Sequence, residues 1–158
     1  GGSTINDTAF FNDTWEYDGN NWVMRSTQNP PSLRNGAIMA YDYNRGRMLL
    51  FGGYYYQGGM TFFDDTWEYD GIRWTQLSPS SHPTTRETAS MIYDTNRGRI
   101  VLFGGGRDAG NDVYNDTWEW NGNNWVQLTP LTSPPARCHI FLKPESLSVP
   151  QIHQSLAS

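Results

Sequence analysis

One motif returns three times at nearly constant spacing and limits what this chain can fold into: Asp-Thr-Trp-Glu followed by an aromatic residue, at 13–17, 65–69 and 116–120. The copies stand 52 and 51 residues apart, and in each a second Trp follows seven positions after the first, giving the pairs Trp15/Trp22, Trp67/Trp74 and Trp118/Trp125. Arg34, Arg86 and Arg137 keep the same period, as do the glycine pairs Gly52-Gly53 and Gly104-Gly105. Within the best-defined copy, four runs rich in apolar and aromatic residues lie at 37–42, 47–51, 66–69 and 74–77, divided by turn residues. Each run has the length of one strand and none is long enough for a helix. Four short antiparallel strands repeated in tandem at about 50 residues form the unit of a β-propeller blade.

The glycine pairs, the Asp-Thr-Trp-Glu strands and the Trp that follows each of them resemble the kelch-repeat β-propellers, including the central domain of galactose oxidase-like proteins. The resemblance covers residues 1 to about 137. It implies an all-β fold of four-stranded antiparallel blades, with the loops between second and third strands gathered on one face around the axis. Kelch-like propellers include protein-interaction modules, galactose oxidase-like enzymes and sugar-acid isomerases, so the resemblance leaves function to be argued from a site.

The periodicity divides the chain into a half-blade and link at 1–33, full blades at 34–85 and 86–136, and a tail at 137–158 that begins with a possible first strand. Gly1-Gly2 stand where Gly52-Gly53 stand in the next copy, so the first copy is expected to supply only third and fourth strands, its earlier half lying upstream. After Arg137 the repeat breaks: residues 138–158 hold no Trp, Tyr, Gly or Asp and contain the single Lys of the chain, Lys143. This composition suits an unrelated, poorly ordered tail. About three blades do not close a ring, since closed propellers use about four to eight. The expected assembly is a homo-oligomer, most simply a dimer of about six blades in which copies complete one another's rings through exposed faces and edges.

Within a copy, each residue type has a physical role. The runs 48–51 and 100–103 are continuously apolar, as a strand covered on both faces requires. Gly52, Gly53, Gly104 and Gly105 then permit a positive-φ turn or close backbone approach, and no helix follows to make a phosphate cradle. Asn44-Arg45-Gly46-Arg47 and its counterpart at 96–99 read as hairpins between first and second strands. With seven Trp in the chain, indole burial is the main source of cohesion, and Trp67, Trp74, Trp118 and Trp125 are expected to pack between blades. Recurrence assigns Arg34 and Arg86 to the scaffold, as guanidinium forks for backbone carbonyls or for Asp65 and Asp116.

Function is expected where the copies differ. The connections at 3–11, 54–63 and 106–114 share little, and the second is rich in aromatics and glycine, a composition suited to contact surfaces. Tyr54, Tyr55, Tyr56 and Gln57, with Arg107 and Asp108 in the third copy, are therefore the ligand-binding candidates, for a protein or carbohydrate partner. A net charge of −5 with 17% charged residues offers no basic field for nucleic acid or an anionic membrane. The Asp/Asn run at 108–116 does not match a calcium loop, and no Tyr/His/Cys constellation for copper can be assembled. No catalytic residue, metal or cofactor is assigned. The leading reading is a non-enzymatic binding or scaffold propeller, within a secreted or surface protein; the alternatives are a piece of a kelch-type enzyme and a repeat fragment with no independent activity.

Overall fold

The computed structural model describes residues 1–4, 9–107, 112–138 and 142. Regular structure among them is entirely β. The second copy forms β5 (Ile38–Asp42), β6 (Arg47–Phe51), β9 (Thr66–Tyr69) and β10 (Trp74–Leu77), joined in that order into one antiparallel sheet. The third copy repeats the arrangement with β11 (Ser90–Asp94), β12 (Arg99–Phe103), β15 (Thr117–Trp120) and β16 (Trp125–Leu128). The first contributes only β3 (Thr14–Tyr17) and β4 (Trp22–Arg25), a two-stranded sheet. The sheets coincide with the expected four-run units, and the described residues form an arc of blades rather than a ring.

Between second and third strands, where the sequence suggests loops, each copy carries a short hairpin: β1 (Gly2–Ser3) with β2 (Phe10–Phe11), β7 (Tyr54–Tyr56) with β8 (Met60–Phe62), and β13 (Gly106–Arg107) with β14 (Asp112–Val113). Three consecutive tyrosines have high strand propensity, and the glycine-bearing tip at 57–59 lets the chain reverse. The connection expected at 54–63 is thus itself a strand pair.

Side-chain alternation explains why the apolar second strand needs cover on both faces. Leu49 and Phe51 point one way into a cluster with Ile100, Leu102, Trp118, Trp120 and Trp125 of the third blade. Leu50 points the other way, into a smaller cluster with Tyr69 and Trp74, against which Trp67 packs. Trp118 and Trp125 thus lie in the core shared by the second and third blades, while Trp67 sits on the face turned toward the first.

The glycine pairs set the blade-to-blade register. Gly53 has φ of 93° and donates its amide to Arg86 O of the next blade at 2.9 Å. A Cβ on Gly53 would stand 2.6 Å from Asn35 O and 2.8 Å from Ala37 N, so neither the conformation nor the space admits a side chain. The same crossing bond recurs from Gly2 to Arg34 O at 3.1 Å and from Gly105 to Arg137 O at 3.0 Å. Arg137 therefore continues the array at the backbone level. Beyond it, the amide of Leu142 donates to Ser90 Oγ at 3.2 Å; the rest of the expected strand at 140–142 and the tail at 143–158 fall outside the described residues.

Candidate functional site

The recurring polar residues are consumed by the scaffold. Arg86 is fully buried and its guanidinium donates to both oxygens of Asp116, at 2.7 and 2.8 Å, and to Gly104 O at 2.8 Å. It also meets Thr84 O and Oγ1 and lies over the Tyr114 ring. Arg34 repeats the set with Asp65, Gly52 O, Ser32 and the Phe63 ring. Each fork ties the start of a blade to the head of its third strand, a planar bidentate geometry that Lys does not reproduce. The indoles of Trp67 and Trp118 complete the clamp by donating to Asp65 and Asp116, both at 2.7 Å. Burial pushes the Asp116 carboxyl up, but the hydrogen bonds from Arg86 and Trp118 and the guanidinium charge outweigh it and hold the group below its ordinary range.

A second series runs from blade to blade. Trp125 Nε1 donates to Thr66 Oγ1 of the preceding blade at 3.0 Å, and Trp74 Nε1 to Thr14 Oγ1 at 3.0 Å. Tyr69 adds a bond from its hydroxyl to Glu16 at 3.1 Å; burial, and then that carboxylate, raise its pKa above the usual tyrosine value. The Thr of Asp-Thr-Trp-Glu is thus an acceptor for the next blade's second Trp, a role that its fixed place in the motif could have signalled but that the sequence reading missed.

The series is open at the first blade. Pairing of Trp15 with Met24 and of Tyr17 with Trp22 places these four side chains on one face, where all are exposed, Trp22 by 66%. Their counterparts Tyr69 and Trp74, or Trp118, Trp120 and Trp125, are buried and meet the preceding blade. Trp15 and Trp22 therefore stand as repeat residues without the packing that the repeat gives the others. At the far end, Thr117 is the acceptor next in line, half-buried on the third blade.

Among the ligand-binding candidates, Tyr54 is buried, within 6.0 Å of Phe10 ring to ring, and accepts from Asn35 Nδ2 at 3.1 Å. Tyr55 meets Phe10 edge-on at 5.0 Å. Both join adjacent hairpins. Tyr56 is 49% exposed beside exposed Gln57 and Met60, so the outward part of the cluster is its last residue and the tip. Arg107 pairs with Asp112 at 2.6 Å on the next hairpin; Asp108 lies outside the described residues. Among the described residues, no three His, Cys, Asp or Glu side chains gather as a metal site would require, and no helix is long and apolar enough to cross a membrane.

A family model, the KLHDC2/KLHL20/DRC7 Kelch-repeats domain, matches residues 1–143. The chain belongs to the kelch-repeat family. Among solved structures, one titled "Structure of YjhT" is similar with a TM-score of 0.52 at 13% identity, over 73% of this chain and 37% of the other. That likeness is one of fold, and the chain spans well under half of that protein's length.

The kelch array has one further opening. In the second and third blades the third strand pairs on its inner edge with the second, β9 with β6 and β15 with β12. β3 pairs only with β4, so its inner edge is unpaired among the described residues. Beside that edge lies a trough of about 260 Å³ lined by Asp13, Trp15, Met39, Leu50 and Trp74, continuing into one of about 310 Å³ floored by Tyr41 and Met48. Tyr41 is 42% exposed there, whereas its counterpart Tyr93 is 7% exposed beneath the first two strands of the second blade.

Proposed function

We propose that this kelch array is a non-enzymatic protein-interaction module, and that the first surface it offers is the open face of Trp15, Tyr17, Trp22 and Met24. That exposed aromatic patch carries the reading, because contiguous apolar surface on a folded chain marks an interaction site. The repeat itself describes the surface that fits: a blade face presenting a Thr hydroxyl to the indole N–H, as Thr66 does for Trp125. Thr117 of a second copy supplies that acceptor. The occupant is therefore a second copy docked head to tail, a heterologous contact that closes into a ring when the rotation permits, with about six blades in a dimer. Two differently tagged copies should capture one another, and Trp22→Ser or Thr117→Val should abolish capture while leaving the circular dichroism unchanged. Capture that survives both substitutions would overturn the head-to-tail contact.

The hairpin tips support ligand binding at a second place. Tyr56, Gln57 and Met60 pair an aromatic ring with an adaptable glycine-bearing turn, and the Arg107–Asp112 pair lies on the neighbouring hairpin. Protein and carbohydrate ligands both suit this chemistry. Peptides selected by phage display on the array, and oligosaccharides on a glycan array, provide the probes. Binders should be lost in a Tyr56→Ser/Gln57→Ala variant; selected peptides and glycans that all still bind would remove the tips from the account.

A further inference from the structure

The outer rim of the second blade carries a surface that neither the open aromatic face nor the hairpin tips include. It is a cleft of about 510 Å³ lined by Asn29, Trp67, Arg73, Trp74, Thr75 and Gln76, where the link from the first blade runs against β10. We propose that this rim is a strand-addition site for an extended acidic peptide, which pairs with the outer edge of β10 and sets a carboxylate on Arg73.

The edge belongs to a complete blade, with all four strands present and β10 outermost. It already receives extended chain at one point. Gln28 of the link lies parallel to Arg73, donating its amide to Ile72 O at 3.2 Å and accepting from Trp74 N at 2.9 Å. The amide of Trp74 therefore points away from β9, and by the alternation of a strand so do Trp74 O and both main-chain groups of Gln76. The link turns away at Asn29, which has φ of 50°, before it reaches these groups. They form a template of the kind to which extended peptides bind through main-chain hydrogen bonds, with side chains selecting sequence.

The matching place on the third blade is built differently. There Ser81 O accepts from Trp125 N at 3.3 Å, and the side chain of Asn124, the counterpart of Arg73, accepts from the Ser81 amide at 3.0 Å. Four residues separate Ser81 from Arg86, whereas five separate Gln28 from Arg34. Pro31 and Pro83 are both buried three residues before their arginines, so the added residue falls at 29–30. Asn29 takes it up in the left-handed region, which Asn tolerates. The side chains of Asn29, Thr75 and Gln76 are exposed and form no hydrogen bond among the described residues. The second blade thus presents amides and a hydroxyl where the third blade closes the link onto its own strand.

Charge selects the occupant. Arg73 is exposed, and its guanidinium forms no salt bridge among the described residues. The nearby Asp70 carboxylate is held by the amides of Ile72 and Arg73, at 2.9 and 2.7 Å, and lies in the field of both Arg47 and Arg73. One carboxylate therefore stands among two guanidinium groups, a cationic spot on a chain of net charge −5. On an added segment, the residue opposite Thr75 shares the face of Arg73 and stands one diagonal step from it, within reach of a long side chain. A carboxylate at that position meets the guanidinium fork in its preferred geometry.

Linear heptapeptides selected from a random phage library on the Trp22→Ser chain, and counter-selected on Trp22→Ser/Arg73→Asn, provide the probe. The first substitution removes the head-to-tail contact, so the outcome does not depend on it. The selected pool should be enriched in Asp and Glu, and a synthetic copy of its leading peptide should slow amide exchange at Gln76. Replacing the peptide's acidic residue by its amide should weaken binding about tenfold. Gln76→Pro, a change that an outer edge tolerates because the lost N–H faces outward, should abolish binding with the circular dichroism intact. Gln127→Pro, at the matching edge of the third blade, should leave it unchanged. The proposal is overturned if no peptide survives counter-selection, if the acidic and amide peptides bind alike, or if exchange at Gln76 is unaffected. Protection of the Gln76 amide in a self-associated species that peptide does not displace would also overturn it, since the edge would then hold a second copy.

Discussion

Replacing Arg86 by Met tests the clamp most sharply, because it removes the charge and the fork while retaining an apolar stem. Arg86 has no exposed surface and Asp116 is 19% exposed, so the pair is largely shielded from solvent. Removing one member of a buried pair costs about 3–5 kcal/mol, since the remaining charge is left uncompensated. The residual access of Asp116 and its bond from Trp118 place the expected loss at the lower end, about 3 kcal/mol at pH 7. For a chain of this size that is on the order of 6–12 °C in Tm. The dependence on pH separates charge from packing. In the unaltered protein the Asp116 carboxyl is held below its ordinary value, so it contributes stability above about pH 4, the unfolded carboxylate range, and that contribution is lost as pH falls through the folded value. Without the guanidinium, burial dominates and the carboxyl is pushed up, so acidification neutralises an unfavourable charge. Stability measured by urea unfolding should therefore differ by about 3 kcal/mol at pH 7 and by clearly less at pH 4, and Arg86→Met/Asp116→Asn should recover part of the loss at pH 7. An equal gap at both pH values would show that the loss comes from packing and refute the electrostatic reasoning.

Other substitutions probe the blade-to-blade bonds. Thr66→Val keeps the shape but strips the buried acceptor from Trp125 Nε1, and should cost about 1–3 kcal/mol in urea unfolding; Trp125→Phe in the Thr66→Val background should then cost less than in the native chain. Gly53→Ala forces a Cβ to within 2.6 Å of Asn35 O at a φ of 93°, and the expected loss is more than about 2 kcal/mol by thermal melting, whereas Gly59→Ala, with open space around it, should melt within a degree or two of the native chain. Tyr56→Ser should leave the midpoint unchanged, while Tyr54→Ser, which removes a buried ring between two hairpins, should lower it.

The fold was legible in the sequence because repetition supplies its own control: four strands per unit, the apolar second strand and the turn positions recur in copies that differ elsewhere. The clamp was legible in outline, since Arg34 and Arg86 keep the same period as Asp65 and Asp116. Less legible were features that depend on the neighbouring blade. Thr14 and Thr66 look like ordinary strand residues until a Trp from the next blade reaches them. Trp15 and Trp22 match Trp67 and Trp74 in sequence yet are exposed, because cover comes from another blade and not from the residue's own repeat. Tyr54 to Tyr56 read as one cluster, but Phe10 of the neighbouring hairpin meets Tyr54 and Tyr55 and not the tip, so Tyr54 is a buried ring while Tyr56, next to the turn, is an exposed one.

Sedimentation equilibrium of the unaltered chain over a concentration series addresses the central claim, that the open blade faces recognise one another as neighbouring blades do within the chain. A mass rising from the 18.0 kDa of one chain toward twice that value, and returning to a single chain in Trp22→Ser, is the predicted result. A mass of one chain at every concentration, with the β-sheet spectrum intact, would contradict it.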